Sequence, residues 1–141
     1  MIYSRINLKQ TNYSLYENFV LFNNPPVKDL QKIYYKYCSY KNFKSVMPIF
    51  NEEFVEPSND VIGYYHNNIL VAFSLIKKFN SKNAEAMQFA WDYESPNLNL
   101  GIKSLKSECA LYKSLGFEYY YLGSASEYKK QIDGFEILGP V

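Results

Sequence analysis

A chain of 141 residues, 48% of them hydrophobic, is long enough for one compact domain, a single sheet covered by two or three helices, and needs no second domain. Its 15 Lys plus Arg against 14 Asp plus Glu leave a formal net charge of +1, which excludes a global electrostatic drive toward nucleic acid or an anionic membrane, so any RNA contact has to be local. No apolar run approaches the roughly 20 residues that span a bilayer and no charged-then-apolar leader pattern is seen, so a soluble, cytoplasmic protein with no membrane partner is expected.

The first segments, Ile2, Arg5 to Leu8 and Glu17 to Phe22, read as short extended pieces, with Tyr16, Asn18, Val20 and Phe22 on one face and Phe19 and Leu21 on the other. They are expected to pair as a hairpin at one sheet edge. Asn24-Pro25-Pro26 then combines a capping residue with prolines suited to a first turn, and a helix follows over about 27–40. Its core stripe is Leu30, Ile33, Tyr34, Tyr37 and Cys38, opposite a solvated row of Lys28, Lys32 and Lys36. Residues 44–59 are irregular, broken by Pro48 and Pro57, with Phe50, Phe54 and Val55 as packing anchors.

From Val61 the pattern becomes β-branched and aromatic. Val61 to Tyr65 and Ile69 to Phe79 flank His66-Asn67-Asn68, whose asparagines tolerate positive φ, and together they predict a β-hairpin. Ser81-Lys82-Asn83 turns into a third strand, Ala84 to Asp92, in which Ala86, Gln88, Ala90 and Asp92 alternate with Met87, Phe89 and Trp91. Pro96 closes that sheet, and a helix over about 100–115 carries the stripe Ile102, Leu105, Cys109 and Tyr112, widened by Leu111 and Leu115, with Lys103, Lys106 and Lys113 facing water. Gly116 suits the left-handed position that ends a helix. Phe117 to Ser124, reached through this helical crossover, is expected to lie parallel to the third strand. Cys38 and Cys109 both fall in helical segments beside apolar neighbours, which suits reduced thiols and leaves no basis for a disulfide or a metal site. An AT-rich coding bias explains the 15 Tyr and 10 Phe more simply than a base-stacking surface does.

Three strands, a helix and a further strand over 60–138 follow the plan of the GNAT acyltransferases. Within it, Phe89-Ala90-Trp91-Asp92-Tyr93, Leu98-Asn99-Leu100-Gly101, Glu118 to Gly123, Tyr128-Lys129 and Phe135 to Leu138 resemble the catalytic half of the aminoacyl-tRNA-protein transferases. The resemblance implies one GNAT-like α/β (α+β) domain over residues 1–141, a mixed, mainly antiparallel twisted sheet with helices on both faces. It also implies a donor site between the third strand and its parallel neighbour, where the start of the helix, Asn99, Leu100, Gly101 and Ile102, receives phosphate. The GNAT phosphate motif, Arg or Gln, two residues, Gly, one residue, then Gly or Ala, falls on Pro96, Asn99 and Gly101, and only the last glycine is kept. The cysteine cluster in the separate amino-terminal region of those transferases has no counterpart, since only Cys38 precedes the matched part.

Acyl transfer to an amine needs a base, oxyanion donors and an acid for the leaving group. Tyr128, just after the tyrosine-rich strand, is the candidate acid, against the plain role of packing its ring on the sheet. Asp92, at the carboxyl end of the third strand, is the candidate base or amine binder, against a role capping the following loop. Lys129 is the candidate phosphate partner, against a solvated lysine beside Lys130. Glu85 and Gln88 are further polar groups on the third strand. His66 falls in a turn, and Ser124 and Ser126 lack any nucleophile elbow.

The leading reading is a GNAT-like acyltransferase that moves an acyl or aminoacyl group from acyl-CoA or aminoacyl-tRNA to a small-molecule or peptide amine, with a tRNA acceptor end as partner in the second case. The alternatives are a catalytically silent GNAT-like domain that binds a ligand or partner, and a structural protein that forms a homodimer through exposed aromatic residues.

Overall fold

The computed structural model describes residues 2–41, 52, 54, 56–92, 99–124 and 127–140. Among the described residues, seven strands and two α-helices follow in the order β1 (Ile2–Asn7), β2 (Phe19–Leu21), α1 (Val27–Lys41), β3 (Asn59–His66), β4 (Ile69–Lys78), β5 (Asn83–Trp91), α2 (Leu100–Ser114), β6 (Tyr119–Ser124) and β7 (Phe135–Pro140). Short 3-10 turns at Leu8–Gln10 and Glu127–Gln131 follow β1 and β6. All strands join one sheet in the spatial order β2-β3-β4-β5-β6-β1-β7. It is antiparallel except where β5 meets β6, so the expected mixed, mainly antiparallel sheet is what forms.

The predicted hairpin is β3 and β4. Asn67 and Asn68 both take positive φ, 51° and 64°, the backbone that a tight two-residue turn with the twist of a hairpin demands. Helix α1 buries Leu30, Ile33, Tyr34 and Cys38 as its spacing predicts. Helix α2 ends at Gly116, whose φ of 91° lets its amide turn back to the carbonyl of Lys113.

The helices lie on opposite faces of the sheet. Phe73, Leu75 and Ala90 pack with the α1 residues Leu30, Ile33 and Tyr34, whereas Ala72, Ile76, Ala84 and Tyr120 pack with Leu105, Cys109 and Tyr112 of α2. Neighbouring β4 positions thus point to different helices, as the period of two requires.

Four sequence expectations are corrected. Residues 2–8 and 17–22 do not form a hairpin: β1 inserts between β6 and β7, while β2 pairs with β3 at the far edge. Both pieces are short, and their complementary edges lie on strands distant in sequence, so adjacency along the chain is a poor guide here. Alternation along the third strand also fails at one point. Leu75 pairs with Gln88 but Ile76 pairs with Ala86, leaving Met87 as an extra residue on β5, and Ala86 joins Phe89 and Trp91 against the α2 cluster. Finally, two of the α2 lysines do not simply face water. Lys106 sits 5.4 Å over the Tyr13 ring and Lys113 donates to the carbonyl of Thr11, so the segment after β1 is strapped along the helix, helped by the Tyr16 amide donating to Ser107 Oγ at 2.9 Å. Leu115, expected in the core stripe, is exposed. Pro48, Phe50, Val55, Pro96 and Ser126 lie outside the described residues, whereas the expected anchor Phe54 is buried edge-on against Phe73.

Candidate functional site

The parallel neighbours β5 and β6 are joined over three register pairs only, Asn83 with Tyr119, Ala84 with Tyr120 and Glu85 with Tyr121. β5 then runs on to Trp91 and β6 to Ser124 with no further register pair between them. The sheet is forked, with its apex at Glu85 and Tyr121. Each prong carries an irregularity just past that apex. Met87 is the extra residue of β5 against β4, and Leu122 is the extra residue of β6 against β1, where Ser4 pairs with Gly123 and Arg5 with Tyr121. A bulge bends its strand and increases local twist, so the two prongs part where their outer ladders are disrupted.

The closed end of the fork is clasped from the α2 side by a group the sequence reading passed over. Glu108 is buried, and its carboxylate accepts hydrogen bonds from Tyr64 Oη at 2.6 Å, Ser74 Oγ at 2.6 Å and Tyr120 Oη at 2.5 Å. These donors come from β3, β4 and β6, so one side chain ties both sides of β5 together. Ala84, in register with Tyr120, presents little bulk beneath the helix. Burial pushes the Glu108 carboxyl above the usual carboxylate range, and the three hydroxyl donors pull it partway back. Burial likewise pushes the Tyr64 and Tyr120 phenols up, so both remain donors. One turn on, Tyr112 stacks on Tyr120 with ring centroids 5.6 Å apart and donates to Asp60 Oδ2 at 2.7 Å, while Lys78 pairs with Asp60 at 3.0 Å. A signal for Glu108 did exist: Leu105, Glu108, Cys109 and Tyr112 are spaced as one helical stripe, which places a carboxylate in the middle of the apolar face.

The open end is lined differently. Asp92 follows the last residue of β5. Its amide donates to the carbonyl of Val71 at 2.7 Å, and its carboxylate, part-buried, lies 3.9 Å from Lys36 of α1. That lysine was expected to be solvated. Trp91 meets the rings of Tyr37 and Tyr40 at 6.5 and 6.2 Å, so the carboxyl end of the prong is walled by aromatic residues of α1. Gln88, beyond the bulge, points to the α1 side opposite Leu75 with its side-chain oxygen buried and without a hydrogen-bond partner among the described residues.

Asn99 begins α2 with φ 51° and ψ 44°, the left-handed conformation that a glycine would supply, and its exposed side chain does not cap the helix. The Lys103 amide returns to the Asn99 carbonyl at 3.1 Å, which leaves the amides of Leu100, Gly101 and Ile102 as first-turn donors with no acceptor among the described residues. Leu100 buries its side chain in the core, Ile102 packs partly against it, and Gly101 adds no side chain. Tyr128 and Lys129 fall together in the 3-10 turn Glu127–Gln131 after β6. The Tyr128 side chain and the loop 93–98 lie outside the described residues. Lys129 directs its ammonium to the Leu122 carbonyl at 3.4 Å, and partial burial lowers its pKa. It is therefore not the freely solvated lysine of the plain reading.

Of the residues singled out, Asp92 sits at the end of the β5 prong, Asn99, Leu100, Gly101 and Ile102 at the start of α2, and Tyr128 and Lys129 beyond β6. His66 is exposed in the hairpin end, away from the fork. Among the described residues there is no group of three or more His, Cys, Asp or Glu side chains placed to hold a metal, and no helix long and apolar enough to cross a membrane. Both cysteines are free and buried, as the sequence predicts.

Comparison with known proteins gives one family match. The model of the family described as arginine-tRNA-protein transferase, C terminus, covers residues 11–138. No curated protein sequence matches the chain. Among solved structures, similar folds include the C-terminal domain of a protein assigned as a lysylphosphatidylglycerol synthetase in Agrobacterium fabrum, with TM-score 0.68 and 14% identity over 88% of this chain and 46% of that one. A protein assigned as a GNAT-family acetyltransferase from Novosphingobium aromaticivorans gives TM-score 0.67 and 13% identity over 96% and 58%. An aminoglycoside acetyltransferase from an uncultured soil sample gives TM-score 0.60 and 13% identity over 81% and 80%. The chain thus spans about half the length of the first two, and the shared feature is the GNAT-like fold.

Proposed function

The chain belongs to the arginine-tRNA-protein transferase C-terminal family, and on that premise we propose that it transfers an acyl or aminoacyl group to an amine at the fork between β5 and β6. The observation that carries the reading is the register itself: three parallel pairs, then two prongs separated by paired bulges, with a helix start beyond one of them. In this reading the donor, an aminoacyl-tRNA or an acyl-CoA, lies in the fork with its phosphate against the amides of Leu100, Gly101 and Ile102. Left-handed Asn99 and the missing side chain of Gly101 allow that approach, and Lys129 adds a counter-charge.

Asp92 takes a proton from the acceptor amine, whose nitrogen then attacks the donor carbonyl. The carbonyl carbon gains a bond to nitrogen and loses its bond to the ester oxygen of tRNA or the sulfur of coenzyme A. Tyr128 returns a proton to that leaving group. Lys36, 3.9 Å from Asp92, stands beside the carboxylate as an opposite charge.

The test is donor-linked stabilisation followed by transfer. Thermal unfolding is measured with coenzyme A, acetyl-CoA, uncharged tRNA and charged tRNA, and the true donor raises the midpoint as mass action requires. Gly101→Phe, which crowds the first turn of α2, is expected to remove that rise while leaving the unliganded midpoint within a few degrees. If no donor shifts the midpoint of the native protein, the transferase reading fails.

A further inference from the structure

An open cavity of about 570 Å³ lies at the apex of the fork, lined by Tyr3, Phe79, Asn83, Glu85, Tyr121 and Leu138 among others. It belongs to the face opposite α2. Glu85 pairs in register with Tyr121, Tyr121 with Arg5 and Arg5 with Glu136, so these four side chains share one face, while the intervening Ala84, Tyr120 and Ile6 are buried beneath α2. Helix α1 covers the neighbouring β4 and β5 on this side, whereas Tyr3 and Leu138 stay exposed. The cavity and the start of α2 therefore address the two faces of the sheet, and the fork is the passage between them.

The charges around the cavity are unequally committed. Arg5 is held by Glu136 at 2.8 Å and lies 3.9 Å over the Tyr119 ring, so its charge is already matched. Lys77, directly across the ladder from Glu85, is exposed with its ammonium 5.5 Å over the ring of Phe79. Glu85 itself is half-buried and makes no hydrogen bond or ion pair with any described residue. A carboxylate without a partner, set among the rings of Tyr3, Phe79 and Tyr121, is suited to an organic cation. The carboxylate supplies the opposite charge, the ring faces attract the same charge through their quadrupoles, and the apolar edges cover a hydrocarbon stem.

We propose that this cavity is a binding site for a primary ammonium group carried on an apolar stem, with Glu85 as its counter-ion and Tyr121 and Phe79 as its walls. As the acceptor site it rests on the transferase reading. As a binding site it does not.

The experiment titrates 1-hexylamine, 1-hexanol and hexanoate into the full chain at pH 7, following backbone amide resonances. Hexylamine is expected to bind about tenfold more tightly than hexanol, with hexanoate weakest and the largest shifts at Glu85 and Tyr121. Glu85→Gln should erase the preference for hexylamine over hexanol. Leu138→Arg, a change at an exposed rim position, should weaken hexylamine more than hexanol, which keeps the proposal testable should Glu85→Gln fold poorly. Equal affinity for amine and alcohol, preference for hexanoate, or shifts confined to other residues would each overturn it. Donor binding and amine preference measured side by side on the native protein separate the two ideas: a donor response without amine preference sinks the cavity alone, and amine preference without a donor response sinks the transferase alone.

Discussion

Glu108 is the residue on which the closed half of the fork turns, because it satisfies three hydroxyls from three strands. Replacing it by Ala leaves those donors buried and unpaired, and the expected loss is about 3 kcal/mol or more in urea unfolding. Glu108→Gln keeps the shape and one acceptor oxygen, able to take two of the three hydroxyls, and the expected loss is smaller, about 1 kcal/mol. The pH response has a definite sign. Burial raises the folded-state value, so between the unfolded carboxylate value and the raised one the unfolded chain has released a proton that the folded chain retains. Glu108 therefore lowers stability as pH rises through that window and contributes no slope below it. Glu108→Gln should flatten the decline, which urea midpoints across pH 4 to 8 would reveal. The place of Glu108 in the helical stripe could be read in the sequence, but the partners that make its burial possible lie 12 to 44 positions away and could not. Asp92, by contrast, could be placed from the strand end alone. Asp92→Asn should lower turnover by about 10²-fold to 10⁴-fold if it acts as base, with donor-linked stabilisation unchanged.

At the level of elements, local chemistry made the β3–β4 hairpin, both helices and the parallel crossover legible, because turn asparagines, apolar stripes and a terminating glycine act within a few residues. The bulges were not legible. Met87 is an ordinary strand residue by composition, and only the ladder to β4 reveals that it is one too many. The same holds for β1 and β2, whose extended character was readable and whose partners were not. One turn shows how tightly the ends are joined. Gly134 has φ 78°, and a Cβ there would lie 2.4 Å from the Asn7 carbonyl oxygen, next to the hydrogen bond from the Asn7 amide to the Gly134 carbonyl at 2.8 Å. Gly134→Ala combines an unfavourable backbone with a clash against main chain, and should cost about 2–4 kcal/mol, detectable as a lower thermal midpoint.

At the level of the molecule, the sheet is one continuous body whose β7 pairs with β1 alone among the described strands. Deleting residues 1–8 removes an interior strand, uncouples β7 and uncovers the outer edge of β6. The expected outcome is loss of cooperative unfolding, with recovery of the circular-dichroism transition when a peptide of residues 1–10 is added in trans.

The placement of β1 also sets a timetable for synthesis. Residues 2–7 leave the ribosome more than a hundred positions before Tyr119–Ser124 and Phe135–Pro140, the two strands that flank them. Until those appear the nascent amino-terminal strand has no ladder to join, and closure of so distant a contact is intrinsically slow. The β2 to β5 meander can assemble while translation proceeds, but the prong formed by β6 settles only once β1 has met β6 and β7, so the fork is completed last.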